Sequence, residues 1–140
     1  MDRPRVIGID FGEKRIGVAV TDPLWITAQP VGIIENRGDG SEIEEISSIL
    51  SEYDAETIVL GLPRNMDGSE GFKAQETRSF GELLAEKTGA EVVYQDERLS
   101  SAMVDRGLAF SGVKAKKRKK NIDDAAAQLI LQNYMQKIQV

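Results

Sequence analysis

Three strand-like runs in succession, followed by alternating helical and strand patterns, limit most strongly how this chain can fold. A Gly-Glu-Lys turn joins the apolar runs at 5–11 and 15–21, which is typical of a hairpin, and a third extended stretch covers about 28–35. Apolar residues then recur every three or four positions from Ser41, which indicates a helix. A run dense in β-branched residues at 56–62 indicates a fourth strand.

The rest of the sequence alternates helices with one more strand, predicted at 91–95. Helical spacing predicts helices at about 72–87, near 101–110 and from Ile122 to about Lys137, with Asn121 as the N-cap of the last. Strands separated by helices run parallel through right-handed crossovers. We therefore predict an α/β fold: a mixed five-stranded sheet, with three antiparallel strands first and then parallel strands, flanked by helices.

The composition narrows the chemistry that the chain can perform. Its 140 residues suit one domain, which we expect to span 1–140. There is no cysteine and no histidine, which excludes disulfides, thiolate zinc sites and histidine-based triads. A metal ion would therefore have oxygen ligands, which favours Mg²⁺ or Mn²⁺.

The hydropathy pattern gives no sign of a membrane partner. No apolar run approaches the ~20 residues needed to span a bilayer. The polar start, Met1 to Arg5, leads directly into a strand-like run and is unlike a signal peptide. We therefore expect a cytoplasmic protein.

Asp10 is the first residue that suggests chemistry, because it lies in an otherwise apolar strand. A carboxylate there is costly to bury unless it is at a strand end, hydrogen-bonded or bound to a metal. The glycines at 8 and 12 leave room for a phosphate to approach. The alternative is a strand-end Asp that caps the following turn. The same Gly-x-Asp-x-Gly pattern also occurs in actin-like and sugar-kinase folds.

Asp123 is the second candidate acid. It precedes Ala126, Ala127 and Ile130 at helical spacing, so we expect it to face the sheet with the apolar stripe of the last helix. Its neighbour Asp124 lies near the edge of that stripe. Compensation of the helix dipole is the alternative role for both.

Asp96 and Glu97 follow the fifth strand and form the third acidic cluster. If the first, fourth and fifth strands are parallel, their C-terminal ends share one edge of the sheet. Asp10 and Glu97 would then be two strand spacings apart, ~9.6 Å, which side chains can bridge around a pair of metal ions. The alternative is a solvated turn, and periodicity does not decide between Asp96 and Glu97. Three converging carboxylates suit two Mg²⁺ ions that cleave a phosphodiester.

Four motifs in this order resemble the YqgF (RuvX) family of Holliday junction resolvases, also described as pre-rRNA nucleases, with a ribonuclease H-like fold. The motifs are GIDFGEKRIGVA at 8–19, GLP at 61–63 with MDGS at 66–69, DERLSS at 96–101, and Ile122-Asp123 before Ala125-Ala126. The resemblance covers essentially the whole chain.

The resemblance implies a metal-dependent nuclease with Asp10, Glu97 and Asp123 as catalytic acids and metal ligands. It implies action in 5′-end maturation of pre-16S rRNA or, as the alternative, on Holliday junctions. The resemblance selects Glu97 over Asp96. One departure concerns this second acid, which follows the fifth strand here, whereas the related resolvase RuvC looks to carry it on the fourth.

Basic residues suggest a nucleic-acid partner, either a structured RNA precursor or branched DNA. Lys14, Arg15 and Arg98 lie beside the candidate acids, and the loop at 61–71 opens into a helix N-terminus, a natural anion site. A concentrated run supplies six of the 18 basic residues: Lys114, Lys116, Lys117, Arg118, Lys119 and Lys120. If all six met single-stranded phosphates, log K would fall with log salt at a slope of roughly −4. A solvated mobile loop is the alternative for this run.

Two further alternatives concern assembly and class. A symmetric junction requires two active sites and hence a dimer, while RNA trimming does not, so we expect a monomer or a weak homodimer.

A different class is a nucleotide-binding protein of the actin and kinase type, although 140 residues supply one domain where those folds need two. A third class is a non-catalytic RNA-binding or transcription-associated adaptor.

Overall fold

The structure is a computed structural model that describes residues 4–97 and 115–138, with side chains described from residue 125 in the second range. The helix expected near 101–110 lies outside the described residues. Of the helices within these ranges, none combines the length and the apolar character needed to cross a membrane.

Five strands form one mixed sheet, as predicted. They are β1 (Arg5–Phe11), β2 (Arg15–Thr21), β3 (Ala28–Glu35), β4 (Ala55–Leu62) and β5 (Glu91–Asp96), in the spatial order β3-β2-β1-β4-β5. The strand β2 is antiparallel to β1 and β3, and β4 is parallel to β1 and β5. The C-terminal ends of β1, β4 and β5 therefore lie at the same edge of the sheet.

In the described ranges, three helices cover the two faces of the sheet. They are α1 (Ser41–Glu52), α2 (Phe72–Thr88) and α3 (Ala115–Ile138). Side chains of α1 and α2 pack with Ile7, Ile9 and Leu60 in one apolar cluster, whereas α3 packs with Val6 and Val59 in the other. Because alternate residues of a strand face opposite sides, β1, β2 and β4 each supply residues to both clusters.

The predicted start of the last helix is wrong. The helix α3 begins at Ala115, so Asn121 is a residue of the helix interior and not the N-cap of a helix that starts at Ile122. The physical reason is composition: Ala, Lys and Arg have high helix propensity, so the basic run extends the helix through the single Asn. Residues 116–120 are thus helical, which excludes the mobile-loop interpretation for that part of the basic run.

The helix α3 lies directly on the backbone of β1. A Cβ atom on Gly8 would lie 2.8 Å from Leu131 Cβ and 3.1 Å from the Ala127 carbonyl oxygen, so only glycine allows this approach. Asp10 follows two residues later and therefore shares this face of the sheet. Ala127 and Leu131 are thus the residues of α3 that lie against β1 at Gly8.

Candidate active site

The strand register brings the ends of β1, β4 and β5 together. Ile9 pairs with Leu60, and Gly61 pairs with Gln95. The Glu97 N–H donates to the Leu62 carbonyl oxygen at 3.2 Å, which continues the pairing one residue beyond β5. Asp10 and Glu97 thus lie on strands that flank β4, as expected from parallel crossovers.

Gly61 provides the space through which the Glu97 side chain crosses β4. A Cβ atom on Gly61 would lie 2.9 Å from Glu97 Oε2 and would also clash with Ile130 Cδ1. The Glu97 carboxyl group therefore lies over the β4 backbone, on the face covered by α3, between its own strand and Asp10. The sequence marks this glycine only as part of the GLP motif, because its structural role depends on the register of the strands and on α3.

Burial and charge give Glu97 unusual acid–base properties. Its side chain is only 8% exposed. Desolvation, followed by the negative charges of Asp10 and Asp96, raises the pKa of Glu97 from 4.5 to about 8. Without a cation nearby, this carboxyl group holds a proton at neutral pH. A cation placed between Asp10 and Glu97 would favour the ionised form.

Asp96 and Glu97 have separate environments. As neighbours in an extended segment, they point to opposite faces of the sheet. Asp96 forms an ion pair with Arg64 at 3.8 Å, whereas Glu97 is buried next to Asp10. Arg64 also lies 3.5 Å from Glu70, which forms a bidentate pair with Arg78. These ion pairs hold the loop before α2 against β5 and leave Glu97 as the acid near Asp10.

The two acids line a cavity of about 460 Å³, here called the active-site cavity. Its walls also include Glu13 and Glu76, and Lys73 is the one basic residue among the described residues that line it. Four carboxylates and one ammonium group repel a phosphodiester unless cations intervene. All these carboxylates offer oxygen ligands, which suits Mg²⁺ or Mn²⁺.

No third carboxylate is described close enough to Asp10 and Glu97 to share a metal ion with both. Among the residues whose side chains are described, there is no group of three or more acids close enough to hold a metal ion. Asp123 lies within α3, four residues before Ala127, but its side chain is outside the description. The expectation that Asp123 completes the set stays a prediction.

A family model described as "RuvX: Holliday junction resolvase" matches residues 4–137. The chain belongs to the RuvX family. Two curated relatives are 47% identical over 133 residues, from Lactococcus lactis, and 42% identical over 134 residues, from Agathobacter rectalis. The matches cover 94% of this chain in both cases, and 93% and 94% of the two relatives. Both relatives are named "Putative pre-16S rRNA nuclease".

Solved structures agree on the fold of this RuvX protein. Thermus thermophilus RuvC has a TM-score of 0.54 at 15% identity, with 96% of each chain covered. A fowlpox virus Holliday junction resolvase has a TM-score of 0.53 at 16% identity, covering 95% of this chain and 99% of the other. At such low identity the likeness establishes the ribonuclease H-like fold alone, and the nuclease class comes from family membership.

The predicted nucleic-acid residues are spread over three places. Lys14 and Arg15 are exposed at the β1–β2 turn, next to the strand that carries Asp10. Residues 116–120 belong to the first turns of α3, while Arg98 and Lys114 lie outside the described residues. The sequence interpretation missed Lys73, although it follows the loop that was predicted as an anion site.

We expect Gly61→Ala to displace Glu97 and lower activity. The added methyl group overlaps Glu97 Oε2 and Ile130 Cδ1, so the free energy of unfolding should fall by about 1–3 kcal/mol in urea denaturation. Adding Ile130→Val removes the Cδ1 atom and so relieves part of the second clash, while the tight contact with Cγ1 remains. The two changes should therefore be non-additive in stability while activity stays low. Gly71→Ala is the control, because a Cβ there has its nearest neighbour at 3.8 Å. Wild-type activity in Gly61→Ala would contradict this role of Gly61.

Proposed function

We propose that this protein is a nuclease that depends on divalent metal ions and acts in 5′-end maturation of pre-16S rRNA in the cytoplasm. The observation that carries the proposal is the pair of Asp10 and buried Glu97 at the edge shared by β1, β4 and β5. In this proposal the nuclease domain spans 1–140, and Asp10, Glu97 and Asp123 are the catalytic acids. Its RNA substrate is bound by a monomer or a weak homodimer.

The described donor set fits Mg²⁺ or Mn²⁺. Asp10 and Glu97 would hold the ions, with Asp123 as the third ligand. When bound, two such ions activate a water molecule, bind the scissile phosphate and neutralise the leaving oxygen. Glu97 would lose its proton when cations bind, because burial and then the negative charges of Asp10 and Asp96 raise its pKa, and bound cations would offset those effects.

The packing of α3 supports a position of Asp123 near the shared edge. Moving along β1 from Gly8 to Asp10 advances about 7 Å towards the shared edge. Moving back along α3 from Ala127 to Asp123 covers about 6 Å, and Ala127 is the residue of α3 whose carbonyl oxygen lies nearest to Gly8. Both movements lead towards the shared edge if α3 runs antiparallel to β1. An antiparallel direction is supported by the cluster that contains both Val6, near the start of β1, and Met135, near the end of α3. This arrangement supports Asp123 as the third ligand.

Positive charges around the cavity would guide the substrate. Lys73 lines the active-site cavity, and Lys14 and Arg15 are exposed at the adjacent turn. The basic run of α3, together with Arg98, would contact phosphates further away. The run contains no aromatic residue for base stacking, which favours phosphate contacts over base readout.

The choice of RNA rests on the relatives that share 47% and 42% identity, since both are named for pre-16S rRNA. The second candidate is resolution of Holliday junctions, which the description of the family model favours. A symmetric junction requires two active sites, so that activity depends on a dimer.

We expect the purified protein, with Mg²⁺ or Mn²⁺, to cut an RNA that carries the 5′ precursor sequence of 16S rRNA. The assay compares this RNA with a four-way DNA junction and with a duplex DNA of matched length, with and without EDTA. Cleavage of junctions alone would replace the RNA function with resolution. Cleavage of neither substrate, with retained RNA binding, would favour the non-catalytic adaptor.

A further inference from the structure

A second cavity adjoins the active-site cavity and has different walls. We call it the stacking groove: a space of about 510 Å³ lined by residues that include Phe11, Phe72, Phe80 and Glu42. Phe11, Phe72 and Glu76 line both cavities. A ligand in the groove could therefore extend directly into the active-site cavity, which Asp10 and Glu97 line.

The aromatic walls of the groove differ: Phe11 and Phe80 are packed against the core, whereas Phe72 is exposed to solvent. Phe11 stacks on Phe80 with ring centroids 4.3 Å apart and 25° between the planes, and both rings pack with the core. Phe72, the first residue of α2, is 75% exposed and belongs to neither core cluster. Flat apolar surface of this kind, beside a site for phosphodiesters, suits the face of a nucleobase.

The groove also has polar character. The Glu42 side chain is 5% exposed, and its Oε1 accepts a hydrogen bond from the Gly40 N–H at 3.4 Å. Its Oε2 is buried and has no hydrogen-bond partner among the described residues. Gln75 and Ser79 also line the groove, so its walls offer polar groups to the edge of a base.

We propose that the groove is a subsite for one unpaired nucleotide next to the scissile phosphate, with its base against Phe72 and Phe11 and its phosphate near Lys73. Lys73 follows Phe72 directly and lines the active-site cavity, so base and phosphate contacts come from adjacent residues. This subsite rests on the proposed nuclease function. It restricts the substrate to nucleic acid with an unstacked nucleotide at the cut, because neighbouring bases cover both faces of a base within a continuous duplex and leave none to stack on Phe72.

The test measures binding and cleavage separately. Binding of a single-stranded RNA and of a hairpin duplex is followed by fluorescence anisotropy in Ca²⁺, used as a cation that occupies the acidic site without supporting cleavage, and cleavage of the single strand is followed in Mn²⁺. Stacking contributes about 1–3 kcal/mol per base, so Phe72→Ala should weaken single-strand binding by about 10-fold. Duplex binding should change by less than about twofold. Phe72→Trp should preserve single-strand binding.

Two controls isolate the base contact. Leu24→Ala removes a side chain that is 70% exposed in the β2–β3 connection, at the opposite end of the sheet, and should change nothing. An abasic nucleotide beside the mapped cut should reproduce the loss seen in Phe72→Ala. The two changes together should cost no more than either alone, because they remove the same contact.

The outcomes separate the subsite from the nuclease function. If Phe72→Ala binds and cuts like wild type while Asp10→Asn is inactive, the subsite is wrong and the nuclease function stands. If wild type binds single strands through Phe72 but cuts nothing, the subsite stands and the nuclease function fails. If wild type neither binds nor cuts any nucleic acid, both are wrong.

Discussion

We expect Asp10→Asn to lower the cleavage rate by about 1,000-fold, which corresponds to about 4 kcal/mol of lost transition-state stabilisation. The substitution keeps the shape of the side chain and removes the charge that would hold a metal ion opposite Glu97. It also removes one of the two negative charges that raise the pKa of Glu97, so that pKa should fall. Rates in Mn²⁺ and carboxyl NMR shifts of Glu97 measure the two effects independently.

The control for Asp10→Asn is Asp54→Asn. Asp54 is exposed before β4, at the opposite end of the sheet, with a φ of 51° that Asn adopts readily. This variant should cut at the wild-type rate. If Asp10→Asn retains wild-type activity while the pKa of Glu97 falls, Asp10 acts on Glu97 electrostatically but is not part of the catalytic site.

The sequence predicted the sheet well because each strand carries its own signal. The apolar runs that became β1 to β5 are short and bounded by turn residues, and right-handed crossovers then leave few topologies. The prediction for the start of α3 was wrong because the preference of one residue for an N-cap position conflicts there with the helix propensity of its neighbours. Asn121 is a good N-cap residue, but the Lys and Arg residues before it are better helix formers than loop residues.

The candidate site could be predicted only in part, because its acids differ in how far their positions depend on tertiary structure. Asp10 stands out locally as a charge in an apolar strand. The choice of Glu97 over Asp96 depends on which of the two side chains points to the face of the sheet that carries Asp10. Asp96 points to the other face, where it forms an ion pair with Arg64. Apart from its place in the GLP motif, Gly61 carries no local signal, since its role exists only where β4, Glu97 and Ile130 meet.

We expect Glu97→Gln to stabilise the metal-free protein at alkaline pH while it abolishes activity. The folded-state pKa of Glu97 is about 8, against an ordinary 4.5. Between these values the folded state binds more protons than the unfolded state, so the wild-type free energy of unfolding falls as pH rises. Glutamine is neutral and of the same shape, so it removes this dependence. At pH 8.5 the variant should be more stable by about 4 kcal/mol, and near pH 4 the two proteins should be equal.

Urea denaturation in EDTA from pH 4 to 8.5 measures this difference. The control is Glu56→Gln, because Glu56 is an exposed residue near the start of β4. The stability of this variant should follow the wild-type curve at each pH. Millimolar Mg²⁺ should stabilise wild type selectively, because ligand that binds only the folded state raises its stability, and the gap at pH 8.5 should narrow. Parallel curves for wild type and Glu97→Gln in EDTA would mean that Glu97 is not the buried acid. A gap that Mg²⁺ leaves unchanged would mean that Glu97 is buried but is not a metal ligand.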